Sequence, residues 1–256
     1  MNSGLSRNAR IARLIPMGGG EALADAPNLA WREGPRPPRW LSRQRYAGIV
    51  SDLRYGELVT ARACTEMASL IPDNAAVRGH LEGQRADELA HAALYERYLR
   101  SLDAEDRVNP ALEQLYQRCL DWSGDPLGLV LAFNVVLEGE ALRLQRFLAT
   151  RLPCPLFSAL NRRILMDEAR HVAFGRIYGG AGVPSLDAEE RIALYRWLKA
   201  LWWDFGCLLR DSFGGPGGRL LRALQPTLEE SWDRQAETLL RLGLLQPDER
   251  IRAEGR

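Results

Sequence analysis

Two short stretches of the chain share one pattern, and that pattern limits how the chain can fold. They read DELAH over residues 87–91 and DEARH over residues 167–171. A Glu and a His three positions apart lie one turn apart on the same face of an α-helix, so both can bind one ion. A single such pair is common on solvated helix surfaces. Two pairs, which use two of the three histidines in the chain, indicate a metal site between helices.

The hydrophobic pattern is helical almost throughout. From about residue 42 apolar residues recur at intervals of three and four, without the alternation typical of strands. Short breaks rich in proline, glycine and asparagine separate these stretches. We therefore predict an all-α fold, with helices at about 42–69, 74–102, 110–122, 125–152, 155–178, 185–213 and 219–242, the last one kinked or broken at Pro226.

The same pattern suggests how the chain is organised. Residues 1–40 are rich in glycine, proline and arginine, and we expect an irregular N-terminal arm there. Residues 41–246 are predicted to form one helical domain. Within it, the metal-binding bundle occupies about 42–178 and additional helices occupy about 185–245. Residues 247–256 are expected to be a tail.

Two further glutamates have a spacing that matches the repeated pattern. Glu57 lies 31 residues before Glu88, and Glu138 lies 30 residues before Glu168. In an antiparallel helical hairpin, residues at the same height are equidistant from the turn. The midpoint of 57 and 88 is 72.5 and that of 138 and 168 is 153, and both fall on breaks predicted from proline and asparagine. The spacing thus predicts two hairpins, each of which contributes three ligands to one site.

The second hairpin leaves one choice open. Glu140 is also available, because the midpoint of 140 and 168 is 154. Both Glu138 and Glu140 flank the apolar face of their helix about equally, so helical periodicity does not distinguish them.

The charge of such a site requires cations. Four carboxylates inside a bundle would repel one another and cost several kcal/mol each if unpaired. Two divalent cations remove that cost by coordination. Mixed carboxylate and imidazole ligation suits iron or manganese. The four cysteines lie far apart with no CxxC pair, which argues against a structural zinc site and a disulfide framework.

The complete order, E…DExxH…E…DExRH, resembles the ferritin-like di-iron carboxylate superfamily. This group includes the ribonucleotide reductase small subunit, bacterial multicomponent monooxygenases, rubrerythrin and aldehyde-deformylating oxygenases. The resemblance covers about residues 42–178 and implies a ferritin-like four-helix bundle with additional C-terminal helices. It favours Glu138 over Glu140, because a small residue, here Gly139, often follows this ligand. The implied metal ligands are Glu57, Glu88, His91, Glu138, Glu168 and His171.

The resemblance also implies the residues that orient the histidines. Asp87 is expected to accept a hydrogen bond from His171, and Asp167 from His91. Three side chains near the site are candidates for a catalytic role: Tyr95, Gln84 and Glu140.

Each candidate has a simpler alternative. Tyr95 lies four residues after His91, the position of the radical tyrosine in the reductase subunit, but core packing is favoured. Gln84 could orient a ligand or be a buried amide with other partners. Glu140 could also be an exposed charge. His80 is expected to be a surface or turn histidine rather than a ligand.

The function implied by the resemblance is that of a non-haem di-iron, O2-dependent oxidase or oxygenase. It would act on a small organic molecule by hydroxylation, N-oxygenation, desaturation or oxidative cleavage, as in secondary metabolism. The cofactor would be two iron ions, or one manganese and one iron. Alternatives are a ferroxidase or iron-handling protein and a radical-generating protein. Storage ferritins are usually shorter, and Trp202 and Trp203 lie in the extra region, where they could pack the core or line a substrate pocket.

Partners follow from what the sequence lacks. No flavin or nicotinamide fingerprint is visible, so we expect a separate electron donor, a ferredoxin or a reductase. The net charge of +1 gives no reason to expect nucleic acid. Because no segment is long and apolar enough to span a bilayer and no signal-peptide pattern is present, we expect a cytoplasmic protein without a membrane partner. A homodimer is the base-rate expectation.

Overall fold

The computed structural model describes residues 5–15, 29–152, 154–212 and 228–254. Within these ranges the structure is helical and contains no strand, which confirms the predicted all-α class. The α-helices are α1 (Arg7–Ala12), α2 (Arg43–Leu70), α3 (Ala75–Leu102), α4 (Pro110–Leu120), α5 (126–151), α6 (Pro155–Gly182), α7 (Ala188–Ser212), α8 (Leu228–Arg241) and α9 (Pro247–Glu254). None of the helices in the described part of the chain has the length and apolar character needed to cross a membrane.

Helices α2 and α3 form the first hairpin, and local sequence explains its limits. Ser42 caps α2 by accepting a hydrogen bond from the backbone N–H of Arg45. The helix ends at Leu70, two residues before Pro72. Asn74 then caps α3 through the N–H of Val77. The turn therefore lies at the break predicted from proline and asparagine.

Helix α5 contains a feature that the hydrophobic pattern did not predict. It starts as an α-helix over Pro126–Val130, with Asp125 as its N-cap. It continues as a π-helix over Leu131–Leu137 and returns to an α-helix over Glu138–Arg151. Together with α6 it forms the second hairpin, whose connection includes Pro153, a residue outside the described part of the chain.

Helix α6 is longer than predicted. The expected loop over residues 179–185 is wrong, because α6 runs to Gly182 and is followed by a 3-10 turn over Val183–Ser185. The glycines therefore do not end the helix. Their lack of a side chain instead permits close packing. A Cβ added to Gly179 would lie 2.7 Å from Leu131 Cδ2.

The outer helices cover two sides of the hairpins. Helix α1 packs against α3 and α6 and buries Ile11 completely, although an irregular arm was expected there. Helices α7, α8 and α9 form a C-terminal layer, and α9, expected as a tail, packs on α7. The predicted glycine break at 214–218 and the kink at Pro226 lie outside the described residues.

The hydrophobic core is divided in two. One apolar cluster contains Ala47 and Val50 of α2 together with Phe157 of α6, and the other contains Met67 of α2 and Phe174 of α6. On each of the four hairpin helices, buried polar residues lie between the two clusters. This polar layer contains every ligand that the sequence predicted.

Candidate metal centre

Six buried side chains meet in the polar layer, three from each hairpin. None is more than 7% exposed. They form two overlapping groups, and in each group the potential ligand atoms all lie within 4.8 Å of one another. Glu88 and Glu168 belong to both groups. The first group is Glu57, Glu88, His91 and Glu168, and the second is Glu88, Glu138, Glu168 and His171. We call these six residues the carboxylate–histidine cluster, which could bind metal ions.

The two histidines point the same ring atom into the cluster. His91 Nδ1 lies 3.3 Å from Glu57 Oε2 and 3.3 Å from Glu168 Oε1. His171 Nδ1 lies 3.1 Å from Glu88 Oε1, yet this buried nitrogen forms no hydrogen bond with a described residue. The Nδ1 atoms of both histidines and the carboxylate oxygens thus face a common space. Convergence of this kind fits a shared metal ion.

The opposite ring atoms of the histidines face aspartates. His171 Nε2 lies 3.4 Å from Asp87 Oδ2, and His91 Nε2 lies 3.3 Å from Asp167 Oδ2, in the crossed arrangement that the resemblance implied. Arg170 joins the two aspartates, because it donates to Asp167 Oδ1 at 2.9 Å and to Asp87 Oδ2 at 2.8 Å. These contacts hold both rings in one orientation and present Nδ1 to the cluster.

Arg170 was not recognised as a functional residue from the sequence. It occupies the fourth position of the second DExxH stretch, where the first stretch has Ala90. That difference was the available signal. Its meaning depends on the pairing of two helices, which the one-dimensional pattern does not contain.

The cluster carries more negative charge than protein groups alone can balance. Burial raises the pKa of Glu57 and Glu138 well above the usual range, and Glu168 raises both further. Burial would also raise the pKa of Glu88, but His171 holds it well below its usual value. For His91 burial lowers the pKa, but hydrogen bonds to the surrounding carboxylates reverse this and raise it. Without cations, Glu57 and Glu138 therefore hold protons more tightly than a free carboxyl group does, and divalent ions would replace those protons.

The structure separates Glu138 from Glu140. Glu138 is buried within the cluster. Glu140 instead accepts hydrogen bonds from Trp202 Nε1 at 2.9 Å and from Arg143 at 3.0 Å. It lies outside both ligand groups and anchors the C-terminal layer to the second hairpin.

Gln84 connects the two hairpins by hydrogen bonds next to the cluster. Its Nε2 donates to Glu88 Oε1 at 3.2 Å and to Glu138 Oε1 at 2.5 Å. Its Oε1 accepts from Asn134 Nδ2 at 2.9 Å, and Asn134 also lies 3.4 Å from Glu138 Oε1. Gln84 therefore orients two carboxylates. Asn134 was missed, although a lone amide in the apolar run LAFNVVL was a visible signal.

Tyr95 is completely buried, and its hydroxyl forms a hydrogen bond within the protein. Its hydroxyl donates to Asn161 Oδ1 at 3.0 Å, and Asn161 in turn donates to the Phe157 carbonyl. Burial raises the pKa of Tyr95, and Glu57 adds to this. The residue packs in the apolar cluster next to the site, in line with the favoured interpretation.

The expectation that His80 lies at the surface is wrong. His80 is 3% exposed and stacks on Phe174 with ring centroids 4.2 Å apart. Its Nε2 has no hydrogen-bond partner among the described residues. Burial lowers its pKa to about 3, and His171 adds to this effect, so the ring is neutral. The N-terminal residues Leu14 and Ile15 cover this side, where they line a small cavity with about 180 Å³ of space not filled by atoms, part of it open to solvent.

A larger cavity opens on the carboxylate side of the cluster. It contains about 730 Å³ of space not filled by atoms, part of it open to solvent. All four cluster glutamates line it, and neither histidine does. Most of the remaining lining is apolar, and Phe205 of the C-terminal layer contributes to it. The lining residues outside the cluster are Ile49, Asp52, Leu53, Gly56, Thr60, Leu112, Tyr116, Leu137, Ala141, Leu144, Gln145 and Phe205.

Comparison of the chain with protein-family models, with curated proteins and with solved structures finds no match. Support for a function therefore lies in the geometry of this site and in the pattern of residues that forms it.

Proposed function

We propose that this protein is a ferritin-like di-iron oxidase or oxygenase that uses O2 to oxidise a small organic molecule. One observation carries the proposal. Two groups of buried ligands overlap in two shared carboxylates, Glu88 and Glu168, and the cavity meets the cluster on its carboxylate side. A purely structural metal site needs neither an adjoining cavity nor ligands shared between two ions.

The residues present fit two metal ions. Glu57 and His91 would hold one ion and Glu138 and His171 the other, with Glu88 and Glu168 shared between them. Four carboxylates and two neutral imidazoles balance two divalent cations. Oxygen and imidazole ligands suit iron, and a manganese–iron pair fits the same donors. When bound, a reduced iron pair supplies the electrons that activate O2 for attack on C–H, amine or aldehyde groups.

The chain itself supplies orientation and a sheltered cavity. Asp87, Asp167 and Arg170 hold the imidazoles with Nδ1 facing the cluster. Gln84 restrains Glu88 and Glu138 through its amide. The apolar cavity walls exclude water from the carboxylate side, where an organic substrate would lie. Repeated turnover would require electrons from a separate protein, a ferredoxin or a reductase.

A ferroxidase is the second candidate, and one observation favours it. The cavity lining contains five carboxylates and no lysine, arginine or histidine. The negative charge of such a lining would attract Fe²⁺. The large apolar share of the lining supports the oxygenase instead, because a route for hydrated ions needs polar walls.

The first experiment measures metal content per chain in protein produced in iron-supplemented medium. We expect about two metals per chain, as in other bundle sites of this type. When O2 is added, the reduced form should consume it, and its visible absorption spectrum should change. Mineralisation of many irons per chain, without an organic substrate, would favour the ferroxidase.

Paired variants test the ligand assignment. Glu168→Ala and His171→Ala should lose the metal while helical circular dichroism remains. Glu140→Gln is the matched control, because Glu140 lies two residues from Glu138 but outside the cluster, and it should retain the metal. Stoichiometric iron in both Glu168→Ala and His171→Ala would refute the proposed centre.

A further inference from the structure

The charge of the cavity lining selects among substrates. Five carboxylates line the cavity, and no basic side chain does. Four of the five belong to the carboxylate–histidine cluster. If two divalent cations are bound there, as the proposed function requires, these four charges are balanced. Asp52 is then the one carboxylate of this lining without a balancing cation.

Asp52 has few partners of its own. Its Oδ1 accepts a hydrogen bond from the backbone N–H of Asn109 at 2.9 Å. No ion pair to Asp52 occurs among the described residues. The nearest arginine in sequence, Arg54, pairs with Asp106 at 2.9 Å instead. Burial raises the pKa of Asp52 to about 6, which reflects a carboxylate that is poorly compensated within the protein.

Gln145 is a second unsatisfied acceptor in the same lining. It is 1% exposed, and its buried Oε1 has no hydrogen-bond partner among the described residues. An unpaired buried acceptor is costly, so native proteins rarely leave one without a role. Gln145 follows Glu138 by seven residues, which places both on one face of α5. A ligand that donates hydrogen bonds would satisfy Gln145 and Asp52 together.

Position along the helix separates these acceptors from the cluster. Asp52 precedes Glu57 by five residues, which corresponds to roughly 7.5 Å along the axis of α2 at a rise of 1.5 Å per residue. The wall along this distance includes Leu53 and Gly56 of α2 and Leu144 of α5. A polar group bound at Asp52 would therefore lie away from the cluster, with an apolar stretch between them.

We propose that the substrate is a mainly apolar molecule with a protonated amino group, and that Asp52 binds this group while Gln145 Oε1 accepts a hydrogen bond from one of its N–H groups. The apolar carbons, not the nitrogen, then lie beside the cluster. Asp52 and Gln145 determine which substrates bind at this end of the cavity, where an apolar carboxylate of the same length is disfavoured because Asp52 repels it and no basic side chain lines the cavity.

The test uses the metal-loaded protein and three probes of equal length: n-octylamine, n-octanol and octanoate. Binding is measured by isothermal titration calorimetry, and metal content is measured on the same samples. Octylamine should bind more tightly than octanol and octanoate. Asp52→Asn should weaken octylamine by about 10- to 100-fold, because it removes a charge-assisted hydrogen bond, and should leave octanol unchanged. Gln145→Leu should weaken octylamine by a smaller factor.

The control and the contrary outcomes are distinct. Glu66→Gln removes a carboxylate from the same helix at an ion pair with Arg62 outside the cavity, and it should leave octylamine binding unchanged. Octylamine bound no more tightly than octanol, or unchanged octylamine affinity in Asp52→Asn, would overturn the amine assignment while about two metals per chain still supported the centre. A protein that binds no metal would overturn both proposals.

Discussion

Each of the two hairpins places two glutamates and one histidine in the cluster, but the hairpins are built differently. Helices α2 and α3 are regular, and at their glycines they do not crowd each other: no heavy atom lies within 4 Å of a Cβ added at Gly48 or Gly83, and a Cβ at Gly56 would meet only Tyr116 of α4, 2.9 Å from its hydroxyl. The second hairpin is crowded. A Cβ at Gly175 of α6 would lie 2.7 Å from Asn134 Cβ. Hydrophobic pattern and capping residues account for the first hairpin, whereas the second depends on tertiary contacts.

The π-helix is the centre of this difference. It ends at Leu137, directly before Glu138. Its carbonyl at Val136 accepts a hydrogen bond from Gln235 Nε2 of α8 at 3.0 Å, and Gln235 is buried. A Cβ at Gly139 would lie 3.2 Å from the same Nε2, so the glycine permits this approach. Single π-helical turns are frequent at functional sites. The C-terminal layer thus supports the segment that carries Glu138.

The largest effect is expected where the two hairpins are joined. Arg170→Met removes the cation that bridges Asp87 and Asp167 and leaves buried carboxylates without that partner. We expect a loss of about 3–5 kcal/mol in the free energy of unfolding, as for other broken buried ion pairs. Urea unfolding monitored by circular dichroism measures it. Arg62→Met, which breaks the more exposed pair with Glu66, should cost less than about 1 kcal/mol, and equal losses would contradict the bridging role.

A glycine pair tests whether the hairpins differ as described. Gly175→Ala should reduce stability by about 1–3 kcal/mol, because the new methyl group meets Asn134 and Val135 at under 3 Å. Gly48→Ala, the matched change in open space on α2, should increase stability by up to about 1 kcal/mol through helix propensity. Urea midpoints of both variants decide the point. An increase in stability for both variants would mean that the second hairpin is not especially crowded.

The contribution of α8 is smaller and can be measured separately. Gln235→Leu removes the donor to the Val136 carbonyl and should cost about 1–2 kcal/mol. Because this carbonyl lies two residues before Glu138, the variant should also lose iron more rapidly to a chelator. Gln117→Leu, which removes an exposed side-chain hydrogen bond to Asp121, serves as the comparison and should change neither quantity. If Gln235→Leu loses iron to the chelator at the wild-type rate, the C-terminal layer does not support the metal centre.

The same contrast explains what the sequence could and could not predict. The turn at Pro72 and Asn74 is encoded locally, and the equal spacing of the ligands on either side of each turn follows from helix geometry. The π-helix has no comparable signature, because LAFNVVL has the apolar character of any core helix. The burial of His80 depends on the N-terminal residues that cover it, and the role of Arg170 depends on an aspartate from the other hairpin. The features missed at His80 and Arg170 are contacts between segments distant in sequence.

The first hairpin is regular in backbone, but it carries an electrostatic cost at Asp52. Burial raises the pKa of this carboxyl to about 6, so the folded protein binds its proton more tightly than the unfolded chain does. Ionised Asp52 therefore destabilises the fold above about pH 6, and the cost disappears as the pH falls towards 4. Asp52→Asn keeps an acceptor for Asn109 and should be more stable than wild type by about 1 kcal/mol at pH 8, after allowance for partial solvent screening, and no more stable at pH 4. Urea unfolding of both proteins at the two pH values measures the difference, in which the titration of the glutamates largely cancels. A variant that is less stable than wild type at pH 8 would show that Asp52 supports the fold. A more stable variant would mean that the chain retains a costly charge at the cavity, as expected of a residue kept for binding.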